Sequence, residues 1–245
     1  MKNLFPILFC LAILAGALRA QEQKLPADGI TEPVFDVILS FPDPGIIVAE
    51  NFKEGDFVNT NDVLVQLDSR LEQLEVARRR LVMENHKSEF EASQKVFEKS
   101  GLSVSHEELL KKKADYEVAQ VEYEIAVEQL RRRSLRPPRA GVITEIKLHT
   151  GEACIAYQPV VRVVDTRQCY FVSNLEGSLG ATLKSGQAVQ LQIDGLTTNS
   201  IVGKVIFISP VVDPASGLQK VRVVFDNTDG RVRPGGAGHL LLQPQ

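Results

Sequence analysis

Four histidines and three cysteines are the positions at which this sequence could bind a metal or supply a nucleophile. His86 and His106 fall in or beside a charged, helix-forming stretch and are expected at its surface. His149 stands two residues before Gly151 and His239 near the end of the chain; neither has a cysteine or second histidine at ligand spacing. Carboxylates are dense between residues 69 and 134, but they alternate with Lys and Arg, as on a solvated helix face. No nucleophile elbow, phosphate loop or His-Glu-x-x-His helix occurs. The expectation is a protein that is not an enzyme, with no catalytic residue, no cofactor-binding residue and no metal ligand. Cys154 and Cys169 sit in apolar, strand-like runs and are expected as buried free thiols.

The N-terminus sets the compartment in which those residues would work. Residues 1–20 carry Lys2, an apolar run Leu4–Leu14 that includes Cys10, and small residues before Gln21. That order is a secretory signal peptide, and the run is short for a membrane span. Cleavage is the expectation, an uncleaved anchor the alternative. The net charge of −3, without a basic block, argues against a nucleic-acid partner. A hydrophobic share of 44% in 245 residues supports a folded chain, long enough for one large domain or two to three small ones.

Residues 69–134 are rich in Glu, Lys, Arg, Leu, Ala and Gln, lack Pro and contain one Gly, Gly101. This composition predicts helix. Asp68 or Ser69 can cap a first arm, and Ser105 with Glu108 fits a capping box for a second, stapled by Val104 and Leu109. Val76, Met83, Phe90 and Phe97 recur every seven residues, as do Leu109, Tyr116, Tyr123 and Leu130. Ala119 and Ala126 fill the positions between. A seven-residue repeat marks a left-handed coiled coil. Folded antiparallel about the turn near Gly101, it sets Val76 against Leu130, Met83 against Tyr123, Phe90 against Tyr116 and Phe97 against Leu109. Arms of about 30 residues reach roughly 45 Å.

The flanks of this hairpin repeat one another. Gly45-Ile-Ile-Val48, Gly55-Asp56 and Val63-Leu-Val-Gln-Leu-Asp68 precede it. Gly141-Val-Ile-Thr144, Gly151-Glu152 and Val160-Val-Arg-Val-Val-Asp165 follow it. Each copy reads as strand, Gly-acid turn, strand, and two such copies make a small sandwich. Beyond residue 166 the pattern changes to short strands, Val189–Ile193, Ile201–Ile208 and Val221–Phe225, punctuated by Pro210, Asp213-Pro214, Gly217, Asp229-Gly230 and Pro234-Gly235-Gly236. That spacing suggests a small β-barrel.

The two copies resemble the halves of a biotinyl/lipoyl domain. The modifiable Lys that carriers hold in the joining turn is missing, since no Lys occurs between Lys53 and Lys87, and the hairpin stands in its place. A lipoyl-like domain split by a helical hairpin in an exported chain resembles the periplasmic adaptor subunits of efflux pumps, the membrane fusion proteins. Glu176, Gly186-Gln-Ala-Val189, Gly203-Lys-Val-Ile-Phe-Ile-Ser-Pro210 and Arg233-Pro-Gly235 follow the order of motifs in that family's barrel. The resemblance covers roughly residues 40–242.

The resemblance implies a mainly β fold with an inserted antiparallel coiled-coil hairpin. Its domains are a signal peptide at 1–20, an N-terminal linker or strand at 21–34, a discontinuous lipoyl-like domain at 35–68 and 135–165, the hairpin at 69–134, and a β-barrel domain at 166–245. It implies a non-catalytic adaptor in the periplasm at the inner membrane, partnered by an inner-membrane transporter, with an outer-membrane channel as a further partner and copies of itself in a homo-oligomer. A proton-driven transporter of the resistance–nodulation–division type is preferred over an ATP-driven one. Partner docking is expected at the hairpin tip, Ser100, Gly101, Leu102, Ser103, Val104 and Ser105, and at barrel loops Asp194–Asn199 and Val211–Gly217. Two departures stand out. Longer members add a fourth, membrane-proximal domain, which is not expected here because the sequence ends soon after Pro234. The Arg and Leu that the family often carries at the tip are replaced by Gln94 and Glu98, and only Ser105 can stand for its Ser, so a stand-alone periplasmic scaffold remains the alternative.

Overall fold

A computed structural model describes residues 25–100, 105–196 and 200–242. The signal-peptide reading, Cys10, and Gly101, Leu102, Ser103 and Val104 of the tip therefore lie outside the described residues. In chain order the elements are β1 (Leu25–Ser40), β2 (Gly45–Glu50), β3 (Phe57–Val58), β4 (Val65–Leu67), α1 (Arg70–Ser100), α2 (His106–Arg131), β5 (Ser134–Leu135), β6 (Gly141–Ile146), β7 (Ala153–Cys154), β8 (Pro159–Glu176), α3 (Gly177–Gly180), β9 (Ala188–Ile193), β10 (Ile201–Ile208), β11 (Leu218–Asp226) and β12 (Ala237–Leu242). The fold is mainly β with a helical hairpin inserted, and it divides into two compact units, 35–165 and 1–34 with 166–245.

In the first unit the repeated halves exchange their strands. β2 pairs with β7 and β3 with β6, so each half completes the other. The exchange is the same in both directions. Gly55 N–H donates to Ile143 O at 2.8 Å and Gly151 N–H to Ile47 O at 2.8 Å; Ile143 N–H donates to Asp56 O and Ile47 N–H to Glu152 O, both at 3.0 Å. Gly55 and Gly151 both have positive φ, +93° and +95°, which is why each Gly-acid turn needs its glycine. Phe41, Ile47, Leu64, Leu67, Ile143 and Val160 form the core between the halves. Cys154 is buried there as a free thiol, and burial pushes its pKa up.

The second unit is a closed barrel. Its strand order is β1-β12-β9-β10-β11-β8, and β1 also pairs with β8. The ring therefore has no free edge. Residues 25–34, which read as linker or strand, are the strand that closes it, and β8 is one uninterrupted strand across residue 166. Phe171, Leu175, Leu191, Val205, Val223 and Leu240 fill the interior. The second buried cysteine, Cys169, lies beside Asn227. That buried asparagine donates to Thr166 O and Val232 O, both at 2.9 Å, and accepts from Val232 N–H at 2.9 Å, so its loop is pinned to β8.

No helix among the described residues is long and apolar enough to cross a membrane. Ion pairs support the hairpin surface. Hydrogen bonds from Arg78 and then Arg79 lower the pKa of Glu75 to about 2. A folded value below the unfolded one means that this contribution is complete above the unfolded pKa of about 4.5 and disappears as pH falls through the folded value. Far-UV circular dichroism at 222 nm is expected to stay flat from about pH 7 to about pH 5 and to fall only below about 4.5. Loss of helix already near about pH 6 would contradict the assignment to this pair.

Candidate partner-docking site

The hairpin is a rod whose two arms meet along a narrow seam. Val76, Met83, Phe90 and Phe97 of α1 and Leu109, Tyr116, Tyr123 and Leu130 of α2 are all half-buried, between exposed neighbours on most sides. Phe90 stacks on Tyr116, ring centroids 6.3 Å apart and planes within 8°. Phe97 also reaches His106, 6.0 Å between ring centres. Ala119 and Ala126 are the two buried residues of α2. Across from α2, Arg79 of α1 reaches Glu122 of the second arm as well as Glu75 of its own. His86 is half-buried rather than on the open surface where the charged stretch placed it.

A cysteine pair tests this register. Phe90→Cys with Tyr116→Cys, in a chain lacking Cys154 and Cys169, is expected to oxidise readily, read by a mobility shift without reductant. Ready oxidation only at a pair shifted by one heptad would overturn it.

The tip is the end of this rod. Ser100 closes α1, and Ser105 is the N-cap of α2, its hydroxyl accepting from Glu108 N–H at 3.1 Å. At the first arm's start, Asp68 Oδ1 accepts from Arg70 N–H at 3.2 Å. Gln94 and Glu98, exposed on the last turns of α1, are hydrogen-bonded to each other through Gln94 Nε2 and Glu98 Oε1 at 3.0 Å. An amide and an acid thus occupy the surface that leads to the tip.

The base of the rod is held by a residue that reading by composition passes over. Arg133 donates through Nε and Nη2 to Glu72 Oε1, at 2.9 and 2.6 Å, and through Nη1 to Pro44 O at 2.7 Å. One guanidinium joins both arms to the loop ahead of β2. Within the run Arg131-Arg132-Arg133 it reads as solvated charge, but it continues the seven-residue series Ala119, Ala126, which is the signal that separates it from its neighbours.

The barrel loops are preformed where they are described. In the loop Val211–Gly217, Asp213 accepts from Ser216 Oγ at 2.6 Å and from Ala215 N–H at 3.2 Å, while Val211 stays exposed. In Asp194–Asn199, Asp194 lies 3.7 Å from His239 Nε2, and residues 197–199 are outside the described residues. His239 Nδ1 also meets Asp28 at 2.8 Å, and His149 Nδ1 meets Glu50 at 3.2 Å. No group of three or more metal-ligating side chains occurs among the described residues.

Comparison with known proteins fits this architecture. Residues 174–245 match the family model of the CusB-like β-barrel domain. An uncharacterised protein of Haemophilus influenzae is 24% identical over 207 residues, 82% of this chain and 52% of its own length, so the chain spans about half of that curated relative. A MacA–MexA chimera carrying the Pseudomonas aeruginosa MexA α-hairpin superimposes with a TM-score of 0.76 at 17% identity, over 91% of this chain and 81% of the chimera. The membrane fusion protein Spr0693 of Streptococcus pneumoniae gives 0.69 at 16%, over 90% of this chain and 100% of its own. ZneB of Cupriavidus metallidurans gives 0.54 at 22%, over 90% and 98%. The resemblance to membrane fusion proteins read from the split lipoyl-like halves holds in the fold and in the barrel sequence.

Proposed function

We propose that this chain is a periplasmic adaptor, a non-catalytic subunit that links an inner-membrane transporter to the cell exterior. The observation that carries the reading is the lipoyl-like sandwich whose joining turn is replaced by a coiled-coil rod, in one chain with a CusB-like barrel. A rod of about 45 Å with a narrow apolar seam exposes most of its length, which suits it to spanning distance. Export through residues 1–20 would place the chain in the periplasm. The tip, Ser100–Ser105, would meet an outward partner such as an outer-membrane channel, and the barrel loops Asp194–Asn199 and Val211–Gly217 would face the transporter, of the resistance–nodulation–division type by preference. Weak contacts of single copies would add up in a closed homo-oligomeric ring through effective concentration.

Mild crosslinking in intact cells, affinity purification from solubilised membranes and mass spectrometry test this. Recovery of a polytopic inner-membrane transporter is the expected result, and its type identifies the energy source. Recovery of homo-oligomers or soluble periplasmic proteins alone would replace the adaptor reading with that of a stand-alone scaffold.

A further inference from the structure

One wall of the barrel is unusual in its charge. β9, β10 and β11 pair in sequence around the barrel, and their inward residues Val189, Leu191, Val205, Val221 and Val223 form its core. The alternate residues point outward. Along Ala188–Ile193, Ile201–Ile208 and Leu218–Phe225 there is no carboxylate; Asp226 comes only at the end of β11. The outward positions instead hold Lys204, Lys220 and Arg222, none of them in an ion pair among the described residues. In a chain with more acids than bases, 31 against 28, an acid-free wall with three uncompensated cations is a local reversal of charge.

The apolar side chains of the same wall are exposed. Val202 is 67% accessible, Ile206 40% and Phe207 43%. A register shift between Val205 and Phe207 turns both Ile206 and Phe207 outward, where strict alternation would hide one. Phe207 is directly across from Arg222, whose guanidinium lies 5.0 Å from the ring centre of Tyr170 on β8. Arg222 Nε is buried against the wall without a hydrogen-bond partner, and the Tyr170 ring holds the guanidinium in place, so Lys204 and Lys220 are the exposed cations.

We propose that this wall of the barrel docks on an anionic phospholipid surface. Exposed aliphatic and aromatic side chains among cations, on strand stretches without a carboxylate and with Asp213 and Glu176 only at the end near Lys220 and Leu218, are what an interfacial surface needs: the apolar groups enter the headgroup region while the cations meet its charge. A soluble acidic protein could match the cations, but it gives no reason for the bulge that turns two large apolar residues outward together. The inference goes beyond the adaptor reading and needs only the barrel wall, so a failed search for a transporter leaves it standing.

The test is sedimentation of the full chain with vesicles of phosphatidylcholine alone and of phosphatidylcholine with about one-third phosphatidylglycerol. The expected result is binding that requires phosphatidylglycerol, weakens with salt and falls at least about tenfold in Lys204→Glu with Lys220→Glu. Phe207→Ser, which leaves the charges in place, is expected to weaken binding in low and high salt alike. Absence of binding would overturn the proposal. So would binding that survives the double charge reversal, because the apolar run Leu4–Leu14 would then be the anchor. Capture of an acidic protein through Lys204 and Lys220 without lipid binding would overturn it in favour of a protein partner.

Discussion

Gly29→Ala is expected to unfold the barrel unit at a temperature lower by about 12 °C or more. A Cβ at this position would lie 2.5 Å from Val172 O and 2.6 Å from the Phe171 ring. The first is backbone of β8 and the second is core, so neither can move without opening the seam between β1 and β8 that closes the barrel. Overpacking against such neighbours costs about 3 kcal/mol or more. The neighbouring strand is equally tight: Gly29 pairs with Gly238, where a Cβ would meet Gln192 O at 2.6 Å. Gly55→Ala is the control. Its φ of +93° disfavours a side chain, but open space surrounds it, so the cost is expected near 1 kcal/mol. Calorimetry of the three proteins decides the matter. A Gly29→Ala chain melting within about 3 °C of the parent would mean that β1 is not locked against β8.

That strand also marks the limit of what could be read in advance. The split sandwich was legible because its information is local and repeated: two glycines of positive φ at matching places, each followed by an acid and an apolar strand. The Phe90–Tyr116 contact was legible because a coiled coil writes its contacts every seven residues. Residues 25–34 offered neither signal. Leu25-Pro-Ala-Asp-Gly-Ile-Thr-Glu-Pro-Val34 has two prolines and no strict alternation, and its pairing partners Ala237–Leu242 come about 200 residues later. Its strand character comes from the ring it completes. Asn227 was hidden for a related reason. Beside Asp226 and Thr228 it reads as turn chemistry, and only the folded barrel brings Thr166 O and Val232 O to its amide. For the candidate site, the clamp is the harder part to read, because Arg133 stands in a run of three arginines just past the end of α2 and only the fold brings Glu72 Oε1 and Pro44 O to its guanidinium.

That clamp gives the second large effect. Arg133→Ala is expected to loosen the hairpin at its base, because the guanidinium contacts Glu72 on one arm and Pro44 O on the sandwich at once. The side chains of Arg133 and Glu72 are 21% and 19% accessible, so the loss leaves a carboxylate and a carbonyl poorly solvated, at a cost of about 2–3 kcal/mol. The mechanical consequence exceeds the energetic one. Over α1, 31 residues long, a tilt of about 10° at the base displaces the far end by roughly 8 Å. A partner that must find several tips together in one ring loses the effective concentration that made weak contacts sufficient. Arg133→Lys keeps the charge but cannot bridge both acceptors, so it should behave more like the alanine variant than like the parent. Spin labels at Glu98→Cys and Asn59→Cys, in a chain without Cys154 and Cys169, report the angle of the rod on its own sandwich. A distance distribution broadened in both variants is the expected result, and one as narrow as the parent's would show that the seam alone holds the rod upright.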